Sequence, residues 1–211
     1  MKEKPILFSA PMVRAILEGS KTQTRRVVKP NPIHDCGLSN IENTNLWSYT
    51  LCDQDWKCPY GTPGDRLWVR ETWGYADHPG CVKDEILYRA DESTEFANQC
   101  EPKKDRYRWK PSIHMFRKDS RIDLLIKDIR VERLQDITEE DAGAEGVEEF
   151  TKDGVGFKYG LGGWHWSYKT GEPYMCRTRK IAFENLWDSI NGKKHPWDSN
   201  PWLWVVEFKK I

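Results

Sequence analysis

The segment from Gly19 to Arg26 concentrates the side chains of this protein that are best suited to chemistry. It reads Gly-Ser-Lys-Thr-Gln-Thr-Arg-Arg, so that one lysine, three hydroxyls and two arginines lie within eight residues. A lysine beside hydroxyls can act as a base for a nucleophile, because partial desolvation lowers the lysine pKa and lets the neutral amine accept a proton. The same composition is also typical of a solvated, charged turn. Both interpretations are open at this point.

Strand geometry would separate the two residues on which such chemistry depends. Alternation sorts the segment into two faces, Thr22, Thr24 and Arg26 on one and Lys21, Gln23 and Arg25 on the other. Lys21 and Thr24 therefore meet only if the chain bends between them. A junction between a helix and a strand permits such a bend.

A helix is predicted directly before this segment. Ser9 is placed to cap it, Pro11 suits its first turn, and Gly19 is placed to end it. Three apolar residues share one face of this helix, namely Val13, Ile16 and Leu17. A strand is predicted to begin after the polar segment, at Val27.

The remaining pattern predicts short strands and few helices. Strands are predicted over 66–73, 85–90, 121–133 and 202–211, and helices over 138–145 and 179–190. The stretches 29–62, 91–118 and 150–176 lack periodicity and are interpreted as insertions. This order predicts one α+β domain over 1–211, built as a mixed β-barrel with flanking helices and not as a doubly wound sheet.

Composition restricts the possible partners and location. Hydrophobic residues make up 38% of the chain and charged residues 31%, which suits a folded core. Lysine plus arginine and aspartate plus glutamate each number 33, so no net field attracts nucleic acid and contact with it needs a local cluster. No apolar run is long enough for a membrane, and the first residues lack a signal-peptide core. We therefore expect a cytoplasmic protein.

Cofactor and metal chemistry find no support in the sequence. No dinucleotide-binding, phosphate-loop, zinc-protease or nucleophile-elbow motif occurs. The six cysteines lack close pairs and are expected to be free thiols, and His114, His165 and His195 lack the helical spacing of metal ligands. We predict no cofactor and no metal.

Other charged positions have two interpretations each. Asp65 is expected to fix a turn by accepting backbone hydrogen bonds. Arg70 and Glu71 face opposite sides of a predicted strand, so one of them points inward, as part of a ligand pocket or of a buried ion pair. Mixed basic and aromatic stretches at 103–110 and 177–180 suit either nucleic-acid contact or a solvated surface.

The order of motifs resembles the ASCH superfamily, whose members share a PUA-like barrel. The resemblance rests on the segment just described, on Pro-Gly-Asp-Arg-Leu-Trp-Val-Arg-Glu-Thr-Trp at 63–73, on the long strand at 121–133, on Ile-Thr-Glu-Glu-Asp-Ala-Gly-Ala-Glu-Gly at 137–146, and on the tryptophan-rich end at 187–208. That end is similar to larger members carried by phages and prophages. The resemblance implies a PUA-like fold for this chain.

The resemblance also implies a site. Small ASCH amidohydrolases that deacylate N4-acetylcytidine use a lysine, a threonine and a glutamate, which fall on Lys21, Thr24 and Glu145. Thr24 would attack the amide carbonyl, Lys21 would accept its proton, and Glu145 would hold the lysine.

Five further residues are predicted to bind the substrate, with Arg26 beside the pocket: Thr22, Arg25, Arg26, Arg70 and Glu71. We thus expect a hydrolase, as an amidohydrolase or otherwise a ribonuclease, acting on a modified nucleoside or RNA. The alternative is a non-catalytic module that binds RNA or a nucleotide in the same cleft, and a purely structural phage protein would do neither.

Overall fold

The structure, a computed structural model, describes residues 1–29, 38–40, 46–49, 52–75, 86–91, 109–150, 156–159 and 178–211. The helices are α1 Ala10–Glu18, α2 Glu139–Ala144 and α3 Arg179–Asn191. The strands are β1 Glu3–Leu7, β2 Gln23–Val27, β3 Leu38–Asn40, β4 Leu46–Tyr49, β5 Cys52–Lys57, β6 Arg66–Arg70, β7 Trp73–Tyr75, β8 Ile86–Tyr88, β9 Asp123–Arg133, β10 Val147–Phe150, β11 Gly156–Tyr159 and β12 Trp202–Lys210.

A mixed five-stranded sheet organises the fold. Its strand order is β1-β6-β9-β12-β2, with β1 parallel to β6 and every other neighbouring pair antiparallel. The α+β class is therefore confirmed. The strands that the structure describes leave this sheet open, with β1 and β2 at its edges, and do not close it into a barrel.

The central strand β12 buries both of its faces, which explains its run of apolar residues. Trp204, Val206 and Phe208 pack with α1 on one face, whereas Leu203 joins a second cluster on the other. Phe183 and Trp187 of α3 belong to that second cluster. The sheet is consequently covered on both sides at the end where β2 lies.

The helix before the candidate site forms as its residues predict. Ser9 is the N-cap residue of α1, although its side chain makes no capping hydrogen bond, and Gly19 ends the helix at φ 85°. That left-handed conformation favours glycine because it has no Cβ. Val13 and Ile16 are buried against the sheet. The end of α1 therefore delivers the chain directly to Lys21.

The second helix is short and strongly capped. The Thr138 hydroxyl accepts a hydrogen bond from the Asp141 amide, and the Asp141 carboxylate accepts one from the Thr138 amide. Such a capping box fixes the first turn by satisfying two amides that lack partners within the helix. Glu145 follows the last residue of α2 and caps its carboxyl end.

Several predicted boundaries were wrong. The strand at the polar segment begins at Gln23 and not at Val27, so the segment itself is the strand. The predicted strand over 66–73 divides into β6 and β7 at Glu71 and Thr72. Within 29–62, predicted to lack periodic structure, β3, β4 and β5 form an antiparallel sheet, and a hairpin of β10 and β11 enters the third predicted insertion. The structure describes the predicted insertion at 91–118 only at residue 91 and from residue 109 onward. The prediction for 92–108 therefore lies outside the described residues.

Among the helices described, none is sufficiently long and apolar to cross a membrane.

Candidate active site

The chain turns at Thr22, between the end of α1 and the start of β2. The Thr22 amide donates to the carbonyl of Ala144 (2.8 Å), whereas the Thr22 carbonyl accepts from the amide of Phe208 (2.8 Å). In a regular strand the N–H and C=O of one residue point to the same side. Here the N–H and C=O of Thr22 point to two different elements. The chain therefore bends between Lys21 and Thr24, as a contact between these two residues would require.

Lys21 and Glu145 form a buried ion pair across this bend. The Lys21 Nζ lies 2.6 Å from Glu145 Oε2 and also donates to the Glu145 carbonyl at 2.9 Å. The lysine side chain is wholly buried and the glutamate side chain is 5% exposed. Burial lowers the pKa of Lys21 below its ordinary value, and the attraction of Glu145 opposes this shift only in part. A lysine in this state loses its proton more readily than one in water.

Arg25 holds the other oxygen of the same carboxylate. Its Nη1 lies 3.2 Å from Glu145 Oε1, while its Nη2 lies 3.1 Å from both Glu132 Oε2 and Asp141 Oδ2. The Arg25 side chain is fully buried. Its guanidinium is therefore occupied by three carboxylates, and in the described structure it positions Glu145 and is not offered to a substrate.

A second arginine extends this network to the neighbouring strands. Arg130 of β9 pairs with Glu132, with Glu207 of β12, and with Asp141 Oδ1 at 2.9 Å. Burial raises the pKa of Asp141, but the charge of Arg25, a hydrogen bond from Gln23 and the charge of Arg130 outweigh it and hold this pKa below its ordinary value. The network thus keeps an ionised carboxylate beside the site.

Glycine is needed where α2 meets the bend. Gly146 has φ 94°, and a Cβ there would lie 3.2 Å from the Cβ of Ala15 and 3.4 Å from the Cβ of Lys21. The close approach brings Glu145 level with Lys21, which are joined as an isolated antiparallel bridge. A side chain at Gly146 would push these two segments apart.

Thr24 lines a small cavity together with Glu145. The cavity has a volume of about 70 Å³, and Arg25 and Arg26 complete its polar lining. Its apolar wall comes from α3 and from Met12 of α1. Thr24 is 3% exposed, and its hydroxyl makes no hydrogen bond with any residue that the structure describes. The structure therefore gathers Thr24 and Glu145 at one cavity without joining them directly.

The ring of Phe8 lies near both the Lys21 amine and the face of β2 that carries Thr24. Its ring centroid lies 5.9 Å from the Lys21 Nζ and 5.3 Å from the Arg26 Cζ. Arg26 and Thr24 alternate onto the same face of β2. Because both cations approach one ring, the Lys21 amine lies toward that face. Arg26 also donates to the Leu7 carbonyl at 2.6 Å and is only partly buried.

The other residues predicted to bind substrate are placed differently. Thr22 is exposed at the bend. Arg70 donates to the carbonyl of Ile113 at 3.3 Å and stacks on Trp68, and it is not among the described residues that line the cavity. Glu71 is 1% exposed and binds Arg121 with both oxygens at 2.9 and 3.1 Å. Glu71 thus has the geometry of the buried ion pair, which was the second interpretation of this position.

Burial raises the pKa of Glu71 above its ordinary value despite the charge and hydrogen bonds of Arg121.

Asp65 fixes the turn as predicted, since its carboxylate accepts from the amides of Lys2 (2.7 Å) and Thr62 (3.2 Å). Cys58 is a buried free thiol, and burial raises its pKa to about 11. Its thiol is therefore unreactive at neutral pH.

The sequence did not reveal the charged residues that hold Glu145. Glu132 and Arg130 occupy alternate positions of β9, a strand in which charged residues are interleaved with apolar ones throughout, so no local signal distinguished them. Gln23 donates to the Asp141 carbonyl at 2.9 Å and links β2 to α2. Within the described residues, no group of histidine, cysteine, aspartate or glutamate side chains is arranged to hold a metal ion.

Comparison with known proteins finds no match to this chain among protein-family models, curated proteins or solved structures.

Proposed function

We propose that this protein is a hydrolase that removes a small acyl group from the amide of a modified nucleoside, with N4-acylcytidine as the substrate type. We also propose that the chain belongs to the ASCH superfamily and has its PUA-like arrangement of strands. The observation that carries it is the buried pair of Lys21 and Glu145, 2.6 Å apart, next to a cavity that Thr24 lines. Burying a lysine to lower its pKa is how proteins obtain an amine base near neutral pH.

The reaction proceeds in two steps. The Thr24 hydroxyl attacks the acyl carbonyl carbon, a C–O bond forms, and neutral Lys21 accepts the hydroxyl proton. The C–N bond then breaks as the proton passes to the leaving amine, which releases cytidine and leaves an ester on Thr24. Water hydrolyses this ester with Lys21 again as the base, giving the free carboxylate and restoring Thr24.

Charges around the site favour a nucleoside over an RNA chain. Three cations and four carboxylates meet there, namely Lys21, Arg25 and Arg130 with Glu132, Asp141, Glu145 and Glu207. Arg26 also lines the cavity and has no carboxylate partner among the described residues, so four cations face four carboxylates and the site has no net positive charge for a phosphate backbone. A neutral base and acyl group suit this environment better than a polyanion.

The competing function is a non-catalytic module that binds a nucleotide or RNA in the same cleft. One observation favours it: the Thr24 hydroxyl lacks a hydrogen bond to Lys21 or Glu145 among the described residues. Catalytic hydrogen bonds often tighten only when substrate is bound, so the hydrolase requires this bond to form in the substrate complex.

An assay that uses chromatography to measure the release of cytidine from N4-acetylcytidine distinguishes the hydrolase from the binding module. The purified chain should show turnover that Lys21→Met reduces at least about 1,000-fold. Lys127→Met, which removes an exposed lysine of β9, should retain the wild-type rate. Wild-type protein that binds N4-acetylcytidine or RNA yet releases no cytidine would instead support the binding module.

A further inference from the structure

The backbone of β2 has an open edge at Arg25. Among the strands that the structure describes, β2 lies at the end of the sheet and pairs only with β12. The Val28 amide donates to Trp202 and the Phe208 amide donates to Thr22, in the same register that pairs Thr24 with Val206. In an antiparallel pair, hydrogen-bonded and non-hydrogen-bonded positions alternate. The even positions of β2 therefore bond β12, and the N–H and C=O of Arg25 point away from the sheet.

The cavity of about 70 Å³ lies along this open edge. Consecutive residues from Thr24 to Val27 line it on one side, and α3 closes the other with Leu186, Trp187 and Ile190. Asn191 also lines it, and the side-chain amide of Asn191 bonds no residue of the described structure. A backbone donor and acceptor thus stand side by side, facing an apolar wall at which Asn191 is the polar residue.

The volume restricts what can enter. Pockets that enclose drug-sized ligands have about 300 Å³ or more, several times the volume found here. A cavity of about 70 Å³ that residues of α3 also line leaves no room for an added β-strand. The occupant must be a flat, small group with adjacent donor and acceptor atoms.

We propose that the Arg25 backbone recognises the hydrogen-bonding edge of a cytosine base. The Arg25 N–H donates to the ring nitrogen N3, and the Arg25 carbonyl accepts from the N4–H. The base edge enters the cavity against the α3 wall while the ribose stays outside. This inference rests on the proposed function and deepens it, because it places the N4 amide beside Thr24 and assigns the choice of base to the main chain of β2.

Hydrogen–deuterium exchange followed by NMR tests this assignment residue by residue, with cytidine as the probe. In the free protein the Arg25 amide should exchange at least tenfold faster than those of Thr24 and Arg26, which bond β12. Saturating cytidine should slow exchange at Arg25 at least tenfold and leave its two neighbours unchanged. The ribonucleoside of 2-pyrimidinone, which lacks the exocyclic amine, should bind at least tenfold more weakly than cytidine.

Two isoleucines of similar exposure provide the matched variants. Ile190 at the cavity is 55% exposed and Ile113 on a different surface is 57% exposed. Ile190→Trp should fill the cavity and weaken cytidine binding at least tenfold, while Ile113→Trp should bind cytidine as the wild type does. Equal binding by the two variants would overturn the proposal.

The proposal is also overturned if cytidine fails to bind at millimolar concentration, or if it binds with no change in exchange at Arg25. These outcomes are distinguishable from failure of the hydrolase function. Protection of Arg25 without cytidine release from N4-acetylcytidine retains the base recognition and rejects the reaction. Turnover without protection of Arg25 does the reverse.

Discussion

The Lys21 amine and the Glu145 carboxylate meet at 2.6 Å although 124 positions separate them in the chain. Three local features produce this contact: the end of α1 at Gly19, the bend at Thr22, and the close approach of Gly146 to Lys21. Glu145 caps the carboxyl end of α2, where the partial negative charge of a helix also favours a cation. The pair is therefore fixed by the backbone on both sides.

Arg25→Lys should destabilise the protein strongly. A lysine has one point charge and cannot reach the three carboxylates that the guanidinium contacts, so buried charge is left unpaired. We expect a loss of about 3 kcal/mol in the free energy of unfolding, measured by urea denaturation. Arg66→Lys is the control, since the Arg66 side chain is 37% exposed and lies 4.0 Å from Glu3. Similar losses in both variants would contradict the positioning role of Arg25.

Asp141→Asn should lower stability in a pH-dependent way. The pKa of Asp141 is lower in the folded protein than in the unfolded chain, so the unfolded chain binds more protons as the pH falls. The stabilisation from Asp141 is then complete at neutral pH and is lost below about pH 4. We expect the variant to be less stable by about 2 kcal/mol at pH 7 and close to wild type at low pH.

The control for this comparison is Asp198→Asn, which changes an exposed carboxylate. It should leave the free energy of unfolding unchanged at each pH at which the folded state persists. A difference between wild type and Asp141→Asn that is constant from neutral pH down to about pH 3 would show that ionisation of Asp141 does not contribute.

Gly146→Ala and Gly64→Ala should differ although both glycines have positive φ angles, 94° and 90°. A Cβ at Gly64 meets no atom of the described residues within 4 Å, so its replacement adds only backbone strain of about 1 kcal/mol. A Cβ at Gly146 also crowds Ala15 and Lys21. We expect Gly146→Ala to cost about 1–3 kcal/mol more, measured by thermal or urea unfolding. Equal losses would mean that the segments at Lys21 and Glu145 tolerate separation.

The long periodic elements could be predicted from the sequence, whereas local breaks could not. α1, α3, β9 and β12 carry clear apolar patterns and form close to the predicted bounds. The start of β2 was missed because Gln23, Thr24 and Arg25 are polar yet buried, and polar residues indicate a turn when burial is unknown. β6 ends at Arg70 because the buried Glu71 turns toward Arg121, a partner 50 positions away.

At the candidate site, too, local features could be predicted from the sequence and long-range contacts could not. Spacing along β2 indicated which faces its side chains occupy, and the capping box at Thr138 could be recognised from its own residues. The carboxylates around Arg25 lie 107 to 120 positions from it, and no local pattern reports contacts of that range. Lys21, Thr24 and Glu145 were selected by resemblance, and the contact between the first and last of them is now a structural fact.

The hydrolase function is tested most directly by the pH dependence of acetate release from N4-acetylcytidine by the wild type, Lys21→Met and Thr24→Val. We expect wild-type kcat/KM to rise with pH to a plateau, with a midpoint below the ordinary lysine value of about 10.4, as Lys21 loses its proton. Lys21→Met should lose this rise and Thr24→Val should release no acetate above background, while Thr72→Val keeps the wild-type profile. Acetate release by Thr24→Val at the wild-type rate, or none by the wild type at any pH, would rule out Thr24 as the nucleophile or the hydrolase function as a whole.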